Sequence, residues 1–191
     1  MPSPPDRYDG VSIALHWLTV LMVLVQIGAG VTMEDVGRGP TQDLLYNLHK
    51  SLGILILLVV LLRLAWRWRH PWPPLPASMP RGQVVLARAN HALLYATLLL
   101  MPVSGFVYTA AGGYPVPFLG LVELSGLVPR DEALSKAALA VHIVGKWTLL
   151  ALLALHVAGA LYHLLIRRDG VFQRMFPWAG GARGERAAGR V

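Results

Sequence analysis

Four long apolar segments constrain this chain more than any other feature of its sequence. They cover approximately residues 11–31, 44–66, 87–110 and 137–166. Each is long enough to cross the roughly 30 Å hydrocarbon core of a bilayer as a helix. Lipid offers no hydrogen-bond partners to a backbone, so such segments fold as helices. The sequence therefore predicts an all-α, integral membrane four-helix bundle, with residues 1–191 forming a single membrane domain.

The composition excludes several classes of protein. The chain is 55% hydrophobic and 14% charged, which is too apolar for an ordinary soluble domain. It has no cysteine, which excludes disulfides, iron–sulfur clusters, thiolate-ligated haem and covalent c-type haem. The net charge of +7 does not indicate nucleic-acid binding, because the basic residues lie in loops beside apolar segments, where insertion topology explains them. The first segment is uncharged and lacks a small-residue cleavage site, so we expect it to remain as a helix.

Basic residues are distributed unevenly between the loops. The connection between the second and third segments and the C-terminal tail are rich in arginine, whereas the other two loops are net acidic. The arginines are Arg63, Arg67, Arg69, Arg81 and Arg88 in the connection, and Arg167, Arg168, Arg174, Arg183, Arg186 and Arg190 in the tail. Because insertion keeps basic loops in the cytoplasm, we expect both termini to be cytoplasmic.

Histidines are numerous on the predicted helices. The chain has seven, and only His70, beside the proline-rich connection that begins at Pro71, resembles a solvated surface residue. Depth estimated from a rise of about 1.5 Å per residue places His49 and His142 in the outer half of the membrane. The same estimate places His16 and His156 in the inner half. The two histidines of the fourth helix project from nearly one face, about 21 Å apart along the axis.

Paired histidines in a helical bundle favour haem. Neutral imidazole is a common axial ligand, and facing helices can clamp a flat macrocycle from both sides. Gly53, Gly145 and Gly159 each follow a histidine by one turn, and we expect them to leave room for the ring. Polar packing between helices is an alternative. A di-metal or proton-relay site is another, but no acidic residue lies within a predicted span to assist it. The sequence therefore predicts two haem b groups in the bundle core.

Further residues near these histidines suit binding roles. His91 and His163 also lie on the inner side, where four histidines compete for two axial positions; they border the haem edge or a quinone head-group site, or are simple interfacial histidines. Lys50 and Lys146 place two cations near the outer haem. Those cations either attract an anionic one-electron donor such as superoxide, or neutralise haem propionates or extend to the interface. Arg63 and Arg67 either hold propionates or satisfy topology alone.

Short motifs occur along almost the whole chain. They are Arg7-Tyr8 followed by Leu15-His16-Trp17; Leu48-His49-Lys50-Ser51-Leu52-Gly53 with Arg63 downstream; Asn90-His91-Ala92-Leu93-Leu94-Tyr95; Pro102-Val103-Ser104-Gly105; and the histidines His142, His156 and His163. In their order and spacing these motifs resemble the bacterial cytochrome b561 family. The resemblance implies a bacterial inner-membrane protein with four helices and two haem b groups. Carried onto this sequence, it implies that His16 and His156 bind the inner haem and that His49 and His142 bind the outer one.

The resemblance also implies a function, which is transmembrane electron transfer from an outer donor to membrane quinone, here ubiquinone. Two alternatives stay open: a superoxide:ubiquinone oxidoreductase, as one member of that family is, and a cytochrome b anchor subunit of a larger respiratory dehydrogenase or hydrogenase. The expected partners are membrane lipid, quinone, and a small outer-side donor or redox protein. Axial histidines on both faces of an iron leave no open position, so we expect outer-sphere electron transfer rather than oxygen activation.

Overall fold

Four helices dominate the computed structural model, which describes residues 7–70 and 72–177. The helices are α1 (Gly10–Asp35), α2 (Pro40–Arg69), α3 (Arg81–Ala111) and α4 (Glu132–Tyr162). All four are long and apolar enough to cross a membrane, which confirms the predicted all-α membrane bundle. Pro71 and three of the predicted cytoplasmic arginines, Arg183, Arg186 and Arg190, lie outside the described residues.

The helices are longer than the apolar segments that predicted them. The first turns of α2 and α4 contain Asp43 and Glu132, and the last turn of α1 contains Glu34 and Asp35. These acidic residues lie outside the predicted apolar spans, because helical hydrogen bonding continues past each apolar stretch into polar turns. After Tyr162, α4 continues as one π-helical turn, His163–Arg167.

An apolar core occupies the middle of the bundle. Its buried members are Val23, Ile56, Val60, Leu94, Leu98 and Leu149. Leu149 lies midway between His142 and His156 on α4. The core therefore separates the two levels at which the predicted ligands lie, and close van der Waals packing of these side chains helps to hold the helices together at mid-bundle.

Both ends of the described chain lie at one end of the bundle, which we call the terminal end. There the Arg7 guanidinium donates a hydrogen bond of 2.7 Å to the Phe176 carbonyl, and the Trp17 indole donates one of 2.9 Å to the Met175 carbonyl. His70 also lies on this side, at the end of α2, where its ring stacks on Trp66 at a centroid distance of 3.8 Å. His70 was predicted as a solvated surface residue, but this stacking leaves it partly buried.

The opposite end, which we call the hairpin end, carries the connection from α3 to α4. A two-stranded antiparallel hairpin, β1 (Pro117–Phe118) and β2 (Val122–Glu123), is followed by a 3-10 turn at Ser125–Leu127. This hairpin was not predicted from the sequence. Two residues of α2 hold the hairpin: the Lys50 ammonium donates to the Pro115 carbonyl at 2.8 Å, and the Ser51 hydroxyl donates to the Pro117 carbonyl at 3.1 Å.

Candidate functional site

Four of the helical histidines meet in two pairs, one toward each end of the bundle. Toward the hairpin end, the ring centroids of His49 and His142 are 6.4 Å apart. Toward the terminal end, the ring centroids of His16 and His156 are 6.2 Å apart. The helix geometry therefore brings together the same pairs that the depth estimate predicts.

The spacing of both pairs fits two imidazoles that share one metal ion. With metal–nitrogen bonds of about 2 Å, as imidazole makes to zinc, the two nitrogens are about 4 Å apart and the ring centroids roughly 6 Å apart. His91 is a rival partner for His156, but their centroids are only 5.1 Å apart, which is too short for that arrangement. The spacing therefore favours His16 over His91, a choice that depth alone left open.

The number of donors at each level also fits haem. Within residues 7–70 and 72–177, no three His, Cys, Asp or Glu side chains gather into a site for a bare metal ion. Two imidazoles are too few to hold a bare ion, whereas haem iron brings its own porphyrin nitrogens and takes only axial ligands from the protein. The donor set thus argues against the di-metal alternative within these residues.

Helix α3 forms a seat for His142. The Nδ1 atom of His142 lies 3.0 Å from the Met101 carbonyl oxygen and 3.2 Å from the Ser104 hydroxyl oxygen. An Nδ1–H that donates to a carbonyl leaves the lone pair on Nε2, which is the tautomer that a metal ligand needs. Gly105 lets the ring approach the helix, because a Cβ there would lie 2.9 Å from His142 Cε1.

Helix α1 forms a comparable seat for His49. A Cβ at Gly30 would lie 3.0 Å from His49 Cε1, so the ring needs a glycine at this point. The Gln26 amide donates to the His49 backbone carbonyl at 3.0 Å. His49 Nδ1 is buried and makes no hydrogen bond within the described part of the chain. The His49 ring is thus positioned by packing rather than by a bond to its Nδ1.

A guanidinium lies beside the terminal-end pair. Arg63 Nη2 is 3.0 Å from His16 Nδ1, and the Arg63 guanidinium lies 5.4 Å from the Tyr95 ring centroid. One turn further on, Arg67 lies over the Trp72 ring at 3.4 Å. Arg63 was predicted either to hold haem propionates or to satisfy insertion topology alone. In the structure it directly contacts His16, a predicted axial ligand.

Comparison with known proteins agrees with this geometry. The profile described as prokaryotic cytochrome b561 matches residues 7–178. The chain belongs to the prokaryotic cytochrome b561 family. It is therefore a membrane electron-transfer cytochrome, and haem b is the cofactor that the family implies.

Curated relatives of this cytochrome match nearly their whole length. Cytochrome b561 homolog 2 of Escherichia coli is 32% identical over 176 residues, which cover 90% of this chain and 92% of the relative. Cytochrome b561 homolog 1 of the same organism is 30% identical over 178 residues, with coverages of 90% and 98%. A protein of Yersinia pestis named probable superoxide oxidase CybB is 27% identical over 177 residues, with coverages of 90% and 96%.

The other predicted site residues of this cytochrome are held by different contacts. Lys50 is tied to the hairpin, and Lys146 is exposed with its ammonium 5.3 Å from the Trp147 ring centroid. His163 Nδ1 is 2.8 Å from the Asp169 carboxylate. Burial alone would raise the pKa of the Asp169 carboxyl, but its hydrogen bond with His163 holds that pKa below the ordinary value. His163 is thus paired with a carboxylate rather than with another histidine.

The three glycines predicted to leave room for a macrocycle behave differently. A Cβ at Gly53 would lie 3.3 Å from the Gln26 amide nitrogen, and one at Gly145 would lie 2.5 Å from Met101 Sδ. The prediction was wrong for these two, because side chains of neighbouring helices cover them. A Cβ at Gly159 would have no neighbour within 4 Å, as the prediction requires.

Sequence reasoning missed the residues that seat the ligands, although a signal for them exists. The number of residues from His16 to Gly30 equals the number from His142 to His156. The same number of residues separates His91 from Gly105. Arg63 follows His49 by the same interval. About four helical turns therefore separate the two levels on every helix, and each helix presents one residue of the site at each level.

Proposed function

We propose that this cytochrome carries single electrons across the bacterial inner membrane, from a donor at the hairpin end to ubiquinone at the terminal end. His49 and His142 would hold one haem b group, and His16 and His156 would hold a second. The observation that carries the proposal is the pair of ring spacings, 6.4 Å and 6.2 Å, with an apolar core between them. Haem b bound there supplies reversible one-electron chemistry.

The distribution of charge supports an orientation in which the hairpin end faces the outer aqueous phase. The terminal end carries arginines that include Arg67, Arg81 and Arg167, whereas the hairpin end carries Glu34 and Asp131. Because basic loops stay in the cytoplasm, both termini are cytoplasmic in this proposal. Electrons then enter from outside and leave toward the cytoplasmic half of the membrane.

The protein's own contribution is to hold ligands, fix a tautomer and exclude water. Because two imidazoles would hold each haem, the chemistry that it would supply is outer-sphere electron transfer and not oxygen binding. The Met101 carbonyl keeps the proton of His142 on Nδ1 and its lone pair on Nε2. Buried Val60 and Leu149 keep the region between the two levels apolar.

His91 is the residue that we propose to contact the quinone head group. Its ring borders that of His156 at 5.1 Å, and it is exposed, whereas His163 is already paired with Asp169. Imidazole can hydrogen-bond a quinone carbonyl. This position lets quinone approach the terminal-end pair without replacing a ligand.

One observation favours superoxide as the donor. Lys50 and Lys146 place two cations within a turn of the hairpin-end histidines, and a positively charged approach raises the encounter rate of a small anion. The relative from Yersinia pestis is named a probable superoxide oxidase. Superoxide:ubiquinone oxidoreductase is therefore the specific activity that we propose for testing.

Stopped-flow spectroscopy of the purified holoprotein tests both ends of this proposal. We expect dithionite-reduced protein to be reoxidised by ubiquinone-1, and oxidised protein to be reduced by a superoxide pulse. Replacing Lys50 and Lys146 together by glutamine should slow reduction by superoxide about tenfold, because the attracting charge is removed. Reoxidation by ubiquinone-1 should be unchanged in that variant.

The matched control is Lys136→Gln. Lys136 also lies in α4, but it is exposed and pairs with Glu132 at 2.6 Å, so its replacement should leave both rates unchanged. Reduced protein that does not react with ubiquinone-1 would contradict the proposed acceptor. If superoxide reduced the wild-type protein and the double lysine variant at equal rates, the proposed attraction of superoxide by the two lysines would be contradicted. The donor would then be a different molecule.

A further inference from the structure

The two histidine pairs differ in what faces the Nδ1 side of a ligand. At the hairpin end, His142 Nδ1 faces an acceptor, the Met101 carbonyl oxygen at 3.0 Å. At the terminal end, the Arg63 guanidinium lies 3.0 Å from His16 Nδ1. When His16 binds a metal through Nε2, its Nδ1 carries the proton, so the guanidinium acts there as a nearby positive charge and not as a hydrogen-bond donor. The two pairs have similar ring spacing, but a neutral acceptor faces the Nδ1 atom of one ligand and a cation faces the Nδ1 atom of the other.

A carbonyl acceptor makes an imidazole a stronger electron donor to its metal. The Nδ1–H bond to Met101 shifts electron density toward Nε2 and raises the basicity of the His142 ligand. A more basic axial ligand stabilises the oxidised iron relative to the reduced iron, and so lowers the reduction potential. The α3 seat therefore biases the hairpin-end site toward the oxidised state.

A guanidinium beside the ring acts in the other direction. Arginine stays charged in proteins, and a positive charge near a redox centre favours the state that has gained an electron. In the described ranges, none of the ion pairs includes Arg63, so no carboxylate at contact distance cancels its charge. Its aromatic neighbour Tyr95 lies at 5.4 Å, and Arg67 adds a second cation on the same helix.

The wider distribution of charge reinforces this difference. The terminal end is rich in arginine, and its carboxylates Asp9 and Asp169 are engaged by Ser12 and His163 respectively. The hairpin end carries a larger share of the acidic residues, including Glu123, Asp131 and Glu132, but these are exposed and the same end also carries Lys50 and Lys146. Because exposed charges are screened by salt, the difference between the two sites rests mainly on the contact between Arg63 and His16.

We propose that Arg63, acting through His16, holds the terminal-end haem at a higher reduction potential than the hairpin-end haem. A single electron on the protein would then reside mainly at the terminal-end haem, next to the proposed quinone site. This inference rests on the proposed ligand pairs. It adds an energetic order of the two sites and a residue responsible for it.

Potentiometric titration of the full-length holoprotein tests this order. The wild-type protein should titrate in two waves, and the higher wave should be the one that disappears in His156→Ala. Arg63→Gln should lower the terminal-end wave by at least about 59 mV, which corresponds to a tenfold change in the one-electron equilibrium. The hairpin-end wave should stay unchanged.

Two further arginine variants separate charge from structure. Arg63→Lys keeps the cation and should retain most of the wild-type potential, even if Arg63→Gln binds haem poorly. Arg67→Gln removes a charge from the same helix that lies over Trp72 rather than beside His16, so its shift should be clearly smaller.

A wild-type protein whose terminal-end haem has the lower potential would overturn the inference, as would an unchanged or raised terminal-end wave in Arg63→Gln. Failure of the ligand pairs themselves gives a different result, because His142→Ala and His156→Ala would then not remove different haems. If the two histidine variants lost different haems but the terminal-end haem had the lower reduction potential, only the proposed role of Arg63 would be contradicted.

Discussion

Gly105→Val is expected to remove the hairpin-end haem while the terminal-end haem is retained. A Cβ at position 105 would lie 2.9 Å from His142 Cε1 and 3.2 Å from its Nδ1, and valine adds two methyl groups beyond that point. The ring must move away from the Met101 carbonyl, and backbone packing leaves it little room to do so. We expect the haem content to fall from two to one per chain, measured by the pyridine haemochrome assay.

Gly28→Val is the matched control for this substitution. It makes the same change within a membrane helix, but a Cβ at Gly28 would have no neighbour within 4 Å, so both haems should remain. A Gly105→Val protein with two haems and an unchanged low-temperature spectrum would show that His142 does not depend on the α3 seat.

His142→Ala and His156→Ala should each remove a different haem. The two residues lie on one helix, but their ring partners are on different helices, His49 at 6.4 Å and His16 at 6.2 Å. Loss of one axial ligand leaves that iron with a single imidazole and an open position, which weakens haem binding and destroys the low-spin signature. Low-temperature optical spectra of each variant should retain one α-band, and the retained band should differ between the two variants.

His70→Ala is the control for these substitutions, because His70 stacks on Trp66 and belongs to neither pair. It should keep both bands. Loss of the same band in His142→Ala and His156→Ala, or of neither, would contradict the assignment of the two residues to separate pairs.

The bundle and the two levels of histidines were predictable because each depends on a short-range regularity. An apolar run of sufficient length predicts a membrane helix, and the regular rise of a helix gives the depth of each side chain. These two rules were enough to match His49 with His142. On the inner side they left His16, His91, His156 and His163 as candidates, and only the contacts between helices favour the pair His16 and His156.

The remaining details depend on contacts between distant parts of the chain. The ring centroid of His156 lies 6.2 Å from that of His16 and 5.1 Å from that of His91. These two distances differ by less than the helical rise of one residue, so an estimate of depth could not distinguish His16 from His91. The hairpin is held by Lys50 and Ser51 of another helix, which no local pattern records. The seat of His142 on Gly105 likewise exists only because α3 and α4 pack together.

The central claim is that this cytochrome holds two haem b groups, and haem stoichiometry tests it most directly. A pyridine haemochrome assay on the purified full-length chain, combined with protein quantification and low-temperature spectra, should find two low-spin haem b groups per chain. A protein that purifies folded in detergent with one haem, or with none after reconstitution with haem, would contradict the account.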